Sequence, residues 1–305
     1  MGRGSYTAGD WLKLSNSRGL NDTTPASRIY RNTAAVPAYT ARTVGTRLSR
    51  DSEDSPRSTP VILGFDVTAS MGFLAEEIAR RALNTTILSL HREKPITDPH
   101  ILCAALGDCR SDRSPLQVTQ FEADIRIAKQ LLELHLEGGG GGNGGESYNL
   151  LWYFAARHTE SDCFEKRQQK GLLFTIGDDR CHPGLSPAEI AAVFGDRSPY
   201  ALSNQELIRE AEAKYDLFHI HIAIPGAPEG VFQSWQMYLP GRVAVIPSRD
   251  ISLLPELILT LAKIAKGQSV NAALKALDQD AAARLAPGLA SIAPKQNTNT
   301  NIISF

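Results

Sequence analysis

The chain has 305 residues, 42% hydrophobic and 21% charged, an ordinary globular composition with enough material to bury a sizeable core as one large domain or two small ones. Its 32 Lys and Arg residues stand against 33 Asp and Glu, a formal net charge of −1, so the chain as a whole is neither a basic nucleic-acid binder nor an acidic tail protein. Four scattered cysteines (Cys103, Cys109, Cys163 and Cys181) make no disulfide framework or zinc knuckle, and there is no apolar leader or membrane-spanning run, so the expectation is a reduced, soluble, cytoplasmic protein.

Residues 1–59 carry nine basic and five acidic residues and 16 Ser/Thr, with no sustained period of two or 3.6. They are expected to form an extended, basic, Ser/Thr-rich arm. Tyr6, Trp11, Leu12, Leu14, Tyr30 and Tyr39 could each pack on a neighbouring surface, so part of the arm is expected to wrap the domain that follows. At residue 60 the texture changes. Val61-Ile62-Leu63-Gly64-Phe65 is a continuous apolar run ending in Asp66, the mark of a strand buried on both faces. Phe73 to Leu90 then has apolar residues at helical intervals.

The alternation continues. Ile101–Leu106 and Leu116–Phe121 are expected strands, and the short link between them, Gly107 to Pro115, suits an antiparallel hairpin at a sheet edge. A helix is expected over Ile125–Leu136, then a glycine run over 138–145 broken by Asn143, then a helix over Tyr148–Arg157. Leu172–Ile176 is the next strand, ending at Gly177-Asp178-Asp179. Helices over Pro187–Phe194 and Asn204–Tyr215, strands over Leu217–Ile224 and Val243–Ile246, and an apolar helix over Ile251–Ala265 complete a domain spanning 60–266. Residues 267–305 are expected to hold one helix, Ser269–Leu285, and a polar tail over 296–305. Strands alternating with helices imply an α/β fold, doubly wound and mostly parallel, with helices on both faces.

In such a sheet ligands collect outside the carboxyl ends of strands where the strand order reverses. Asp66-Val67-Thr68-Ala69-Ser70 follows the first strand and offers a carboxylate and two hydroxyls in one tight loop. Hard oxygen donors of this kind suit Mg2+, Mn2+ or Ca2+ rather than a soft or nitrogen-seeking metal. An Asp or Ser capping a helix is the simpler explanation for one such residue, but capping does not need all three. The pattern Asp66-x-Thr68-x-Ser70, after a buried strand and before a helix, resembles the metal-ion-dependent adhesion site of von Willebrand factor type A domains. The resemblance covers about residues 60–266. It implies a six-stranded sheet with one antiparallel edge strand, a second loop that contributes a threonine, and a third that contributes an aspartate after the fourth strand. Asp178 matches that third element. The second loop departs from the pattern: Gly144-Gly145-Glu146-Ser147 holds no threonine, so Glu146 or Ser147 must stand in. If Glu146 bound the metal, Asp66, Glu146 and Asp178 would face one divalent ion and weaken its demand for a partner's acidic group. Arg50-Asp51-Ser52, Ser58-Thr59-Pro60 and the glycine-rich Glu-Ser-Tyr loop further resemble a bacterial subgroup of these domains whose function is unassigned.

The function implied is a Mg2+-bound face that recognises a protein partner, which could supply a carboxylate to the metal. The resemblance also implies work beside a AAA-type ATPase, or in a bacterial stress or defence complex. No catalytic residue is expected, and neither membrane nor nucleic acid is an expected partner. Two alternatives stand beside it. One is phosphotransfer on Asp66, as in haloacid dehalogenase-like enzymes, although the second aspartate those use as general acid is Thr68 here. The other is self-assembly through residues 1–59. The glycine run lacks the Gly-Lys-Ser/Thr ending of a phosphate loop, Cys181-His182 lacks a second Cys/His pair, and His219 and His221, on one strand face, are expected to be core or edge histidines.

Overall fold

The computed structural model describes residues 6–21, 23–68, 71–138 and 144–293. Ser70, most of the glycine run and the polar tail lie outside the described residues. Six strands form the central sheet: β1 (Thr59–Asp66), β2 (Pro99–Leu106), β3 (Leu116–Val118), β4 (Gly171–Gly177), β5 (Tyr215–Ala223) and β6 (Val243–Pro247). Their spatial order is β6-β5-β4-β1-β2-β3. Every neighbouring pair is parallel except β2 and β3, which form the antiparallel edge expected from the short link between them. The chain steps outward from β1 through β2 on one side and from β4 through β5 on the other, so the order reverses between β1 and β4.

Strand periodicity sorts the apolar run of β1 onto the two faces. Val61, Leu63 and Phe65 enter one core with Leu172, Phe174 and Ile176 of β4, beneath the helices Leu83–Glu93 (α1) and Leu254–Ala265 (α2). Ile62 and Leu173 enter the other, beneath Asn149–Arg157 (α3), Asn204–Glu212 (α4) and Val231–Tyr238 (α5). Gly64 lets α3 press directly on the sheet. A Cβ there would stand 2.2 Å from Leu151 Cδ2.

Three helices depart from their periodicity. The helix after β1 runs Gly72–Glu77 and Leu83–Glu93 with a π-turn, Ile78–Ala82, between; one extra residue in a turn leaves the apolar spacing nearly intact. The expected helix over Ile125–Leu136 is formed only over Arg126–Leu131. Gln117 explains the early end: its side chain takes both backbone groups of His135, donating to the carbonyl at 2.6 Å and accepting from the amide at 3.0 Å. Where one helix was expected over Ser269–Leu285, there are two, Val270–Leu274 and Gln279–Leu285, because Asp278 caps the second by accepting from the Ala281 amide at 2.9 Å.

The N-terminal segment contains a helix, Ala8–Arg18, started by Thr7, whose hydroxyl accepts from the Asp10 amide, and ended by Gly19 at φ 67°. Its apolar periodicity is weak because only Trp11, Leu14 and Ser15 are buried. Tyr6 before this helix and Ile29 and Tyr30 after it join the core beneath α1. The Tyr30 hydroxyl donates to the Ala75 carbonyl at 3.0 Å, the Ala26 amide to Glu76 at 2.8 Å, and the Arg80 guanidinium to the Thr24 carbonyl. Arg47–Ser49 pairs in parallel with Thr159–Ser161 as a small second sheet. Ile29 is 1% exposed, so Ile29→Ala should lower unfolding free energy by about 3 kcal/mol in urea denaturation, far more than truncation of a side chain on a loosely attached arm.

Candidate functional site

Asp66 ends β1 with its side chain fully buried, held between β2 and β4. The tight turn that follows folds Thr68 back on it. The Thr68 amide and hydroxyl both donate to Asp66 Oδ1, at 2.8 and 2.6 Å. The other oxygen, Oδ2, accepts from the Tyr148 phenol at 2.6 Å. These donors favour the carboxylate, but burial outweighs them and lifts the Asp66 pKa to about 6, with Asp178 adding to the rise. Asp178, half-buried just beyond β4, thus lies across the strand-order reversal within electrostatic reach of Asp66.

The second loop is stitched to the third by backbone. The Glu146 amide donates to the Arg180 carbonyl at 2.8 Å, and the His182 amide to the Glu146 carbonyl at 3.0 Å. Glu146 is 3% exposed, and its Oε2 is buried without a hydrogen-bond partner. Burial, then the charges of Asp66, Asp108 and Asp179, push its pKa up to about 9. Ser147 faces elsewhere: its hydroxyl donates to Asp108 Oδ1 at 3.1 Å and accepts from the Cys109 amide at 3.0 Å. His182 Nε2 lies 3.0 Å from the same Asp108 oxygen.

The structure therefore brings Asp66, Thr68, Glu146 and Asp178 to one end of the sheet. It places Ser147 beside them but turned to Asp108, and Ser70 lies outside the described residues. Sequence reasoning passed over Asp108 and Tyr148. Asp108 had a signal: Gly107-Asp108 follows β2 as Gly177-Asp178 follows β4. Tyr148 had none, because its reach to Asp66 exists only once α3 is laid across the sheet. Cys181 is buried, and burial raises its thiol pKa far above the ordinary range, so it is not a poised nucleophile. His219 and His221 are buried on β5, and burial lowers both pKa values.

The donors gathered here are hard oxygens, and one buried carboxylate oxygen among them has no partner, the kind of donor a divalent ion takes. Among the described residues, no three His, Cys, Asp or Glu side chains gather closely enough to hold a metal ion between them. A cation here would therefore draw on hydroxyls and water as well as carboxylates.

No protein-family profile and no curated protein matches the sequence. Solved structures do resemble parts of it. A von Willebrand factor type A protein from Catenulispora acidiphila is 15% identical, with 70% of this chain and 43% of that one covered and a TM-score of 0.40. Proximal thread matrix protein 1 from the mussel byssus, solved with a zinc-occupied MIDAS motif, is 10% identical over 72% of this chain and 49% of its own, with a TM-score of 0.42. The pilus adhesin SpaC from Lactobacillus rhamnosus GG is 8% identical over 72% and 31%, with a TM-score of 0.46. The match spans less than half the length of each of these three proteins.

The raised carboxylate pKa values set a pH dependence. Folded Glu146 titrates near 9 and Asp66 near 6, both above their unfolded values, so the folded state holds more protons than the unfolded state between about pH 4 and 9. Cation-free stability should fall as pH rises through that window. Glu146→Gln should raise the melting temperature at pH 8 and leave it nearly unchanged at pH 4, as measured by thermal denaturation in EDTA.

Proposed function

We propose that this chain is a cation-dependent protein-binding module of the von Willebrand factor A type, with Mg2+ held at the carboxyl ends of β1 and β4. The observation that carries the reading is the convergence of Asp66, Thr68 and Asp178 at the strand-order reversal with the unpartnered, buried carboxylate oxygen of Glu146. Asp66, Thr68, Ser70 and Asp178 would hold the ion, and Glu146 fills the second-loop role better than Ser147, whose hydroxyl is already shared between Asp108 and Cys109. A bound divalent cation would supply an open coordination position for an oxygen donor of a partner protein, and with three carboxylates already facing it the ion would draw a partner's acidic side chain less strongly than a two-carboxylate site does.

The chain's own residues do the rest. Thr68 and Tyr148 fix the orientation of Asp66, and burial keeps bulk water from screening the carboxylates. Mn2+ or Ca2+ could replace Mg2+ by the same donor chemistry. The finer parts of the reading are that the partner is a protein, that the module works beside a AAA-type ATPase or in a bacterial stress or defence complex, and that it does so in the cytoplasm. The sequence resemblance supports these. No helix among the described residues is long and apolar enough to cross a membrane. Phosphotransfer has less support, since the position two residues after Asp66, where such enzymes carry their general acid, is Thr68, whose hydroxyl donates to Asp66.

Mg2+ at about 100 times its dissociation constant should stabilise the fold by about 2.7 kcal/mol and raise the melting temperature by roughly 5 °C. Asp66→Asn keeps the shape of the side chain and should abolish that rise while the cation-free protein still unfolds cooperatively. An equal Mg2+ response in both proteins would remove Asp66 from the site.

A further inference from the structure

The second loop has no threonine, yet a hydroxyl from its far end does reach the centre of the site. We propose that Tyr148, through its phenol, is the positioning residue that joins the Asp66 turn to the Gly177–Asp179 turn and sets both for the cation. This inference rests on the cation reading above.

Three features of the packing support it. The phenol donates to Asp66 Oδ2 at 2.6 Å with both side chains fully buried, and its oxygen lies directly against the Gly177 backbone at the end of β4. The group therefore touches both turns across the strand-order reversal. The ring has little freedom: it meets the edges of His219 and Trp235 at centroid distances of 5.6 and 5.1 Å, and the indole of Trp235 donates to the Asp179 carbonyl at 2.9 Å. The end of β4 is shaped to receive it. A Cβ on Gly177 would stand 2.0 Å from the phenol oxygen, so any larger residue there would push the hydroxyl off Asp66. A threonine acts from within its own loop, whereas this hydroxyl comes from the residue that caps a helix anchored in the core, so its placement depends on α3 packing as well as on loop conformation.

The test compares the intact chain with Tyr148→Phe, which keeps the ring and removes only the hydroxyl, and with Tyr153→Phe, one turn along α3, whose hydroxyl bonds Asp196 at 2.7 Å instead. Mg2+ affinity is measured by calorimetry, and the environment of the phenol by the near-ultraviolet difference spectrum on adding Mg2+. Tyr148→Phe is expected to bind Mg2+ at least about tenfold more weakly and to lose the tyrosine difference signal, while Tyr153→Phe keeps both. Unchanged affinity in Tyr148→Phe overturns the inference while leaving the cation reading intact. Failure of the intact chain to bind Mg2+ overturns that reading, and this inference with it. If Tyr148→Phe does not fold, the spectrum decides: a Mg2+-induced tyrosine signal in the intact chain and in Tyr153→Phe supports the role, and its absence from a Mg2+-binding chain overturns it.

Discussion

Carboxylate charge withdrawn from water at one end of the sheet is the constraint on which the rest of this structure turns. Asp66 and Asp108 are fully buried and Glu146 almost so, and an unsolvated carboxylate is costly unless donors or an opposite charge meet it. The fold meets two of the three with donors: Thr68 and Tyr148 on Asp66, and Ser147 and His182 beside Asp108. Glu146 keeps one oxygen unanswered. Much of the surrounding architecture serves that arrangement, from the glycine at the end of β4 to the aromatic wall of His219 and Trp235 behind Tyr148.

The opposite end of the sheet is treated differently. There Arg50 pairs with Glu160, Asp162 and Glu165, Arg167 holds Asp51 at 2.7 Å, and the Arg57 amide donates to Asp98 just ahead of β2. Arg50 and Asp51 of the N-terminal segment thus find their charged partners near the amino ends of the strands. Arg42 and Arg47 donate to backbone carbonyls of Ala191 and Val118. Among the described residues, Arg50 is the one basic side chain before residue 60 that pairs with carboxylates, and it does so at the end away from Asp66. The carboxylate cluster is left to be balanced by something else.

The central strands β1, β2 and β4 were legible because each is an apolar run buried on both faces and closed by glycine or aspartate. Asp66 and Asp178 could each be placed at a strand end on that basis, their adjacency was what the family resemblance implied, and the antiparallel edge followed from a link too short for a crossover. What escaped depends on contacts distant in sequence. Gln117 cuts short a helix by taking His135, 18 residues later, and Tyr148 reaches Asp66 across 82 positions. The helix over Ala8–Arg18 escaped for a related reason. It buries too narrow a stripe for periodicity to register, and its burial is decided by the surface it lies on.

β1 is hydrogen-bonded along both sides, to β2 and to β4, and has no free edge. Opening it requires separating two ladders at once, together with the cores on both faces. Its amides therefore belong among those that exchange with solvent only through unfolding of the whole molecule. Asp66 is carried on the most persistent part of the chain, and Thr68 just beyond it is tied back to the Asp66 side chain. The position of Asp66 is therefore set by two strand ladders rather than by loop conformation, and a change in the neighbouring loops can leave its carboxylate where it is.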